Sequence, residues 1–193
     1  MNRSRLEAFS DGVLAIIITI MVLELKIPHG SSINELTELT PVFISYIMSF
    51  VFIGIYWGNH HHLMHTAQHV NSKIIWTNLE LLFFLSLIPF STGWMGENHF
   101  DKLPVAVYAV NLLLCAIAYY NLHTVIMSGF KHSTKLIEAL QEQKKKGIIS
   151  LFIYLVSIPC AFFNPIISAI LFVVVSILWV IPDKNIEKAL EEN

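Results

Sequence analysis

The chain has 193 residues, of which 55% are hydrophobic and only 13% are charged, and its mean hydropathy is +0.63. A soluble domain is typically about one quarter charged, so this composition excludes an ordinary soluble protein and predicts an all-α, polytopic membrane protein. The formal net charge of −2 does not indicate a partner, and the lack of a long basic tract argues against nucleic acid. Cys115 and Cys160 lie inside apolar segments and predict neither a disulfide nor a metal site.

Apolar runs bounded by charged or turn-forming residues predict six membrane-spanning helices within one transmembrane domain, residues 1–193. In chain order the spans cover residues 8–27, 39–58, 73–95, 104–128, 147–163 and 165–182. The last two are separated only by Asn164 and Pro165, which require a very tight turn or a helix break.

The first span carries polar residues where a membrane helix should be apolar. Its uncharged run from Asp11 to Glu24 covers roughly 18 Å at about 1.5 Å per residue, against a hydrocarbon core of about 30 Å. One or both carboxylates must therefore lie at membrane depth, where contact with lipid is costly. We expect this helix to face protein or water along its length, as a pore-lining helix does.

Ile16, Thr19, Ile20 and Leu23 form one stripe of the first helix, at positions i, i+3, i+4 and i+7. Such a stripe commonly packs against neighbouring helices. If copies from several subunits meet around an axis, however, the Ile and Leu side chains would form a hydrophobic constriction. The Thr19 hydroxyls would then be the polar oxygens available to a cation.

The second span ends in a histidine-rich segment, in which His61, His65 and His69 would share a face if the helix continues. Neutral imidazoles bind Zn²⁺ or Cu²⁺, but no Cys or carboxylate lies between Trp57 and Lys73, so no specific metal site is predicted. His60 lies nearest the membrane. It could reach the layer of Arg5 and Asp11, which could pair with each other or with neighbouring helices.

Three further polar residues fall inside apolar spans: Asn78 and Glu80 in the third, and Asn111 in the fourth. Intramembrane polar residues are functional candidates, although hydrogen bonding between helices is the commoner explanation. Glu80 is the best argument for a proton-coupled role.

The longest connection, from Gly129 to Lys146, carries five Lys residues and could form a short amphipathic helix through Leu136, Ile137 and Leu140.

Alternating the connections across the membrane collects ten of the 12 Lys and Arg residues on one side and leaves Lys26 and Lys102 on the other. This bias predicts cytoplasmic N- and C-termini in the cell's plasma (inner) membrane. No catalytic signature is present, so the chain is not expected to be an enzyme.

Arg5-x-x-x-Phe9-Ser10-Asp11 at the head of the first span resembles the signature of the transmembrane protein 175 family of potassium-permeable channels. Trp57-x-x-His60 and Asn78 also resemble family positions, with His61 or His62 as alternatives to His60. The resemblance implies a homotetramer of six-helix subunits whose first helices line the pore, without a carbonyl-lined selectivity filter.

The resemblance also implies roles for individual residues. Ile16, Ile20 and Leu23 match the hydrophobic constriction, and Thr19 matches a threonine layer linked to modest potassium preference. Arg5, Ser10, Asp11 and His60 match a polar network that braces the pore helix. The favoured function is thus a weakly selective leak channel for K⁺, and also Rb⁺ and Cs⁺, without a cofactor.

Two other functions are consistent with the sequence. A proton channel or proton-coupled transporter would use Asp11, His60 and Glu80 as relays, and its current would survive removal of K⁺. A non-transporting membrane protein could instead sense or scaffold divalent metals through its histidines, with spectral or stability changes but no ion flux.

Overall fold

The computed structural model describes residues 2–67, 69–129 and 134–180, without the side chains of residues 134 and 135. This part of the chain is all-α. Its helices are α1 (Arg3–Leu23), α2 (Ile33–Glu38), α3 (Thr40–Thr66), α4 (Ser72–Ser86), α5 (Ile88–Glu97), α6 (Lys102–Met127), α7 (Thr134–Phe163) and α8 (Pro165–Val180).

The first two predicted spans differ from the structure at their ends. Helix α1 begins earlier than residue 8 because the Asn2 side chain accepts a hydrogen bond from the Arg5 amide at 3.0 Å and caps the helix. It ends at Leu23, so residues 24–27 lie outside it. Helix α3 continues past residue 58 to Thr66, and the histidine-rich segment is therefore helical through His65.

The third predicted span is divided into α4 and α5 at Leu87. Pro89 has no amide hydrogen to donate to the Leu85 carbonyl, and its ring disfavours a continuous helix. The Ser91 hydroxyl donates to the carbonyls of Leu87 and Ile88, both at 3.2 Å, at the start of α5. Because α4 and α5 together form one apolar segment of 26 residues, they remain a single candidate membrane span.

The segment between the fourth and fifth predicted spans is not a separate short helix. Where the structure describes it, it is the first part of α7, which begins at Thr134 and not at residue 147. Leu136 and Leu140 are buried, as the amphipathic pattern predicts. The predicted break at Asn164 is confirmed: the Asn164 side chain accepts a hydrogen bond from the Ile166 amide at 3.0 Å and caps α8.

Within the described residues, five segments are long and apolar enough to cross a membrane, and α8, described over 16 residues, is shorter. Their outer faces carry large apolar side chains, such as Phe152 and Phe163, which are 67% and 84% exposed. Such a surface is unusual in a soluble monomer but suits contact with lipid or with other subunits. The most buried of the five is α6, which packs against α4, α7 and α8.

Contacts of Arg3 and Lys26 mark the two ends of the bundle. At one end, Arg3 of α1 donates a hydrogen bond to the His65 carbonyl of α3 at 3.0 Å. At the other end, the ammonium group of Lys26 lies 2.7 Å from a carboxylate oxygen of Glu97, the last residue of α5. Arg3 and Lys26 therefore lie at opposite ends, as alternating connections predict. Lys131, Lys184 and Lys188 lie outside the described residues.

Candidate functional site

Helix α1 has two distinct faces. One face is buried against the rest of the subunit and carries Leu6, Ser10, Leu14, Ile17 and Met21. The predicted stripe lies on the other side of the helix. Ile16, Ile20 and Leu23 are 59%, 41% and 76% exposed, and Thr19 is also exposed.

The hydroxyl of Thr19 is bonded within its own helix. It donates to the Ala15 carbonyl at 2.8 Å. A hydroxyl group has one hydrogen and two lone pairs, so this bond uses the hydrogen and leaves oxygen lone pairs directed away from the helix. Thr19 therefore presents an acceptor, which is the group a cation requires, on an otherwise apolar stripe.

The buried face of α1 is held by a chain of hydrogen bonds between three helices. The Asn78 amide of α4 donates to the Ser10 hydroxyl of α1 at 3.0 Å, and Ser10 donates to the Leu6 carbonyl at 2.9 Å. The Asn78 amide oxygen lies 2.7 Å from His60 Nε2 of α3. Because an amide oxygen only accepts, this bond requires hydrogen on Nε2. Ser10, Asn78 and His60 are all buried.

Asp11 is joined to α3 by a different contact. Its Oδ1 atom accepts a hydrogen bond from the Trp57 indole at 3.0 Å. Of the pairings that the sequence left open for Asp11, the structure has one with a neighbouring helix and not one with Arg5. The Arg5 side chain is exposed and makes no hydrogen bond or ion pair to the described residues.

Glu80 faces away from the Ser10–Asn78–His60 chain. Its carboxylate accepts hydrogen bonds from the Asn121 amide of α6, at 3.1 and 3.4 Å. The Asn111 amide likewise donates to the Ser91 hydroxyl of α5 at 3.1 Å. Asn78, Glu80 and Asn111 thus each make a hydrogen bond to another helix, which is the commoner explanation for polar residues inside spans.

The histidine-rich segment is divided by the end of α3. The His61 and His65 rings are neighbours, with centroids 4.4 Å apart, as their i, i+4 spacing predicts. His69 lies beyond Thr66, where the helix ends, so the condition under which it would share this face is not met. Two partners that the sequence did not indicate are Asn121, for Glu80, and Glu7, which lies 3.7 Å from His65.

Comparisons with known proteins agree with this architecture. The family model described as endosomal/lysosomal potassium channel TMEM175 matches residues 5–89. A potassium channel of Chryseobacterium sp. is 52% identical over 193 residues, the whole of both chains. The endosomal/lysosomal proton channel TMEM175 of Gallus gallus is 26% identical over 176 residues, covering 83% of this chain and 34% of that protein.

A solved structure is similar over nearly the whole fold. It is the crystal structure of a lysosomal potassium-selective channel TMEM175 homolog from Chamaesiphon minutus. It superposes with a TM-score of 0.84 at 26% identity and covers 94% of this chain and 97% of that one. The resemblance inferred from the motif in residues 5–11 is confirmed, and so is the expectation that the chain is not an enzyme. The chain belongs to the TMEM175 family of multi-pass membrane potassium channels.

Proposed function

We propose that the chain forms a potassium-permeable, weakly selective leak channel in which copies of α1 line a central pore. The observation that carries the proposal is the exposed stripe of α1, opposite the face that packs inside the subunit. Ile16, Thr19 and Leu23 are solvent-accessible in a single chain, although the same helix buries Leu14 and Ile17. In the proposed channel, this stripe faces the α1 helices of the other subunits.

Closing a pore with this stripe requires several copies of the chain. One subunit contributes one α1 helix, and a single helix cannot enclose a channel. Closed rings of identical subunits form around a symmetry axis. We infer a homotetramer, the assembly that the family resemblance implies, with six membrane helices in each subunit when α8 is included.

The stripe supplies two functions along the pore. Ile16, Ile20 and Leu23 form apolar rings that narrow the pore and oppose its wetting. Thr19, between the first two rings, offers hydroxyl oxygens to a partly dehydrated cation. A few hydroxyl groups discriminate less than a cage of carbonyl groups, so the preference for K⁺ over Na⁺ is modest, and Rb⁺ and Cs⁺ also pass.

The polar residues hold α1 in position for this role. Ser10 is linked to His60 through Asn78, and Asp11 is linked to Trp57. Both links join the cytoplasmic half of α1 to elements behind it. We place Arg5 in the same polar network because it is part of the Arg5-x-x-x-Phe9-Ser10-Asp11 motif. The end of the bundle that carries Arg3 is cytoplasmic, and the channel lies in the plasma membrane with both termini inside the cell.

The test is the reversal potential of purified protein in planar bilayers with K⁺ on one side and Na⁺ on the other. We expect a reversal shifted towards the K⁺ equilibrium potential, with little dependence of conductance on voltage because no span carries a ladder of Arg or Lys residues. Absence of current, or a current that follows only the pH gradient, would overturn the proposal.

The second function, a proton channel through Asp11, His60 and Glu80, is favoured by the proton-channel name of the Gallus gallus relative. Its discriminating result is a current that persists without K⁺. The contacts of Glu80 argue against it as a relay, since this carboxylate bonds to Asn121 and no described hydrogen bond joins it to His60 or Asp11.

A further inference from the structure

A cluster of three metal-binding side chains forms where the start of α1 meets the end of α3. Glu7 contributes a carboxylate from α1, and His61 and His65 contribute imidazoles from α3. One ligand atom from each lies within 4.8 Å of the other two. The closest measured pair is His65 Nε2 and Glu7 Oε1, 3.7 Å apart. The carboxylate that the local sequence lacks is thus supplied by a distant part of the chain.

The arrangement suits a divalent transition metal. Two histidines at i and i+4 lie on the same face of a helix and can bind one ion together. Zinc sites with two His and one Glu keep a fourth position for water, with metal–ligand distances of about 2.0–2.2 Å. These distances place tetrahedral ligand atoms about 3.3 Å apart. The 4.8 Å limit exceeds this separation by about 1.5 Å, so binding requires small changes in the side-chain torsions of Glu7, His61 and His65.

The carboxylate of Glu7 gives an independent sign of a missing ligand. Its Oε1 atom is buried and has no hydrogen-bond partner among the described residues. A buried acceptor without a partner is costly, and this one faces the His65 ring. The other oxygen, Oε2, lies 3.9 Å from Arg3 Nε. The Arg3 guanidinium therefore interacts with Oε2 of Glu7, and Oε1 remains available to an ion.

The surroundings permit entry of an ion and also limit its affinity. The His65 side chain is 40% exposed, whereas that of Glu7 is 15% exposed. An ion can therefore arrive from solvent and retain a water molecule. Arg3 donates to the His65 carbonyl and keeps its positive charge nearby, which weakens cation binding. We expect reversible binding suited to regulation, and not a permanent structural ion.

We propose that Glu7, His61 and His65 form a site for Zn²⁺ or a similar divalent transition metal, which fastens the start of α1 to the end of α3. Binding follows from the three side chains alone. The consequence for ion flow rests on the proposed function: because α1 lines the pore, a metal that fixes its cytoplasmic end should alter the current. Mg²⁺, which prefers oxygen ligands, should bind much more weakly.

The test uses the full-length oligomer without a polyhistidine tag. Zn²⁺ is titrated by calorimetry, and Co²⁺ is followed by its visible absorption, which reports tetrahedral coordination by nitrogen and oxygen ligands. We expect one ion per chain in the wild type. Glu7→Gln, His61→Gln and His65→Gln should each lower the affinity at least about tenfold, because each removes one ligand. The matched control, His62→Gln, should stay within about twofold of the wild type.

Stability provides a second readout that does not depend on conduction. Zn²⁺ should raise the melting temperature of the wild type and of His62→Gln, but not that of Glu7→Gln. Melting temperatures without metal show whether each variant is folded. Binding that survives Glu7→Gln, or is lost in His62→Gln, would overturn the site, as would absence of binding. These results stand whether or not the protein conducts K⁺, so failure of the site and failure of the channel are distinguishable.

Discussion

Trp57 of α3 donates its indole hydrogen to Asp11 of α1, with 3.0 Å between Nε1 and Oδ1. The contact places a neutral donor beside one of the two carboxylates that bound the apolar run of α1. It also joins α1 to α3 next to the buried Ser10–Asn78–His60 chain. Asp11 thereby gains a protein partner without a salt bridge, and the exposed stripe of α1 remains uncovered.

We expect Trp57→Phe to destabilise the α1–α3 contact, because the ring is kept while the indole donor is lost. A hydrogen bond to a charged, partly exposed group contributes about 1 kcal/mol, which corresponds to a fall of about 2–4 °C in the melting temperature of a protein of this size. The measurement is thermal unfolding of the purified channel in detergent. Trp76→Phe is the matched control, since Trp76 is 71% exposed on α4. Equal melting temperatures for both variants would contradict the role of this bond.

Ile16→Asn tests the constriction. An amide in place of the sec-butyl group should wet the narrow part of the pore and raise single-channel conductance severalfold. Val22→Asn is the control: it introduces the same side chain on another face of α1, where Val22 is 45% exposed, and should leave conductance near that of the wild type. Unchanged or lower conductance in Ile16→Asn would count against a constriction at this position.

Thr19→Ala tests the source of selectivity. It removes the hydroxyl oxygen that lies on the apolar stripe. The helix should remain intact, because the lost bond to the Ala15 carbonyl is a side-chain bond and the backbone hydrogen bonds of α1 are unchanged. We expect the reversal potential between K⁺ and Na⁺ solutions to move towards zero. Thr19→Ser keeps the oxygen and should keep the wild-type reversal potential. If Thr19→Ala reverses at the wild-type voltage, Thr19 has no part in ion selection.

The sequence predicts much of this fold because the membrane imposes a strong pattern. Long apolar runs identify the spans, and the break at Asn164–Pro165 was predicted because an Asn-Pro pair favours a turn over a continuous helix. Other features depend on packing between distant segments. The break at Leu87 was not predicted, since the run through Pro89 is continuously apolar. Some helix ends differ from the predicted ones, because neither a cap such as Asn2 nor a histidine-rich helix end such as that of α3 appears in the apolar pattern.

The candidate site, too, could be predicted from the sequence only in part. Periodicity grouped Ile16, Thr19, Ile20 and Leu23 on one face of α1 but left open whether this face packs against neighbouring helices. In one subunit the structure leaves it exposed. Periodicity could not supply partners that come from other helices. Glu7 and His65 are far apart in the chain, and so are Glu80 and Asn121. That Arg5 belongs to the polar network with Ser10, Asp11 and His60 stays a prediction, since no described side chain of the same subunit pairs with it.

Gly96→Ala tests the close packing of α5 against α3. A methyl group at Gly96 would lie 2.9 Å from the Val42 Cα atom and also contact the Ser45 hydroxyl. Backbone atoms cannot move aside as a flexible side chain can, so we expect a loss of about 1–3 kcal/mol, measured as a lower melting temperature of the purified protein. Gly93→Ala lies on the same helix with nothing within 4 Å of its new methyl group. This control should be neutral or more stable by about 0.5–1 kcal/mol, because Ala favours the helix. Equal melting temperatures in the two variants would mean that α3 and α5 are less closely packed than the structure indicates.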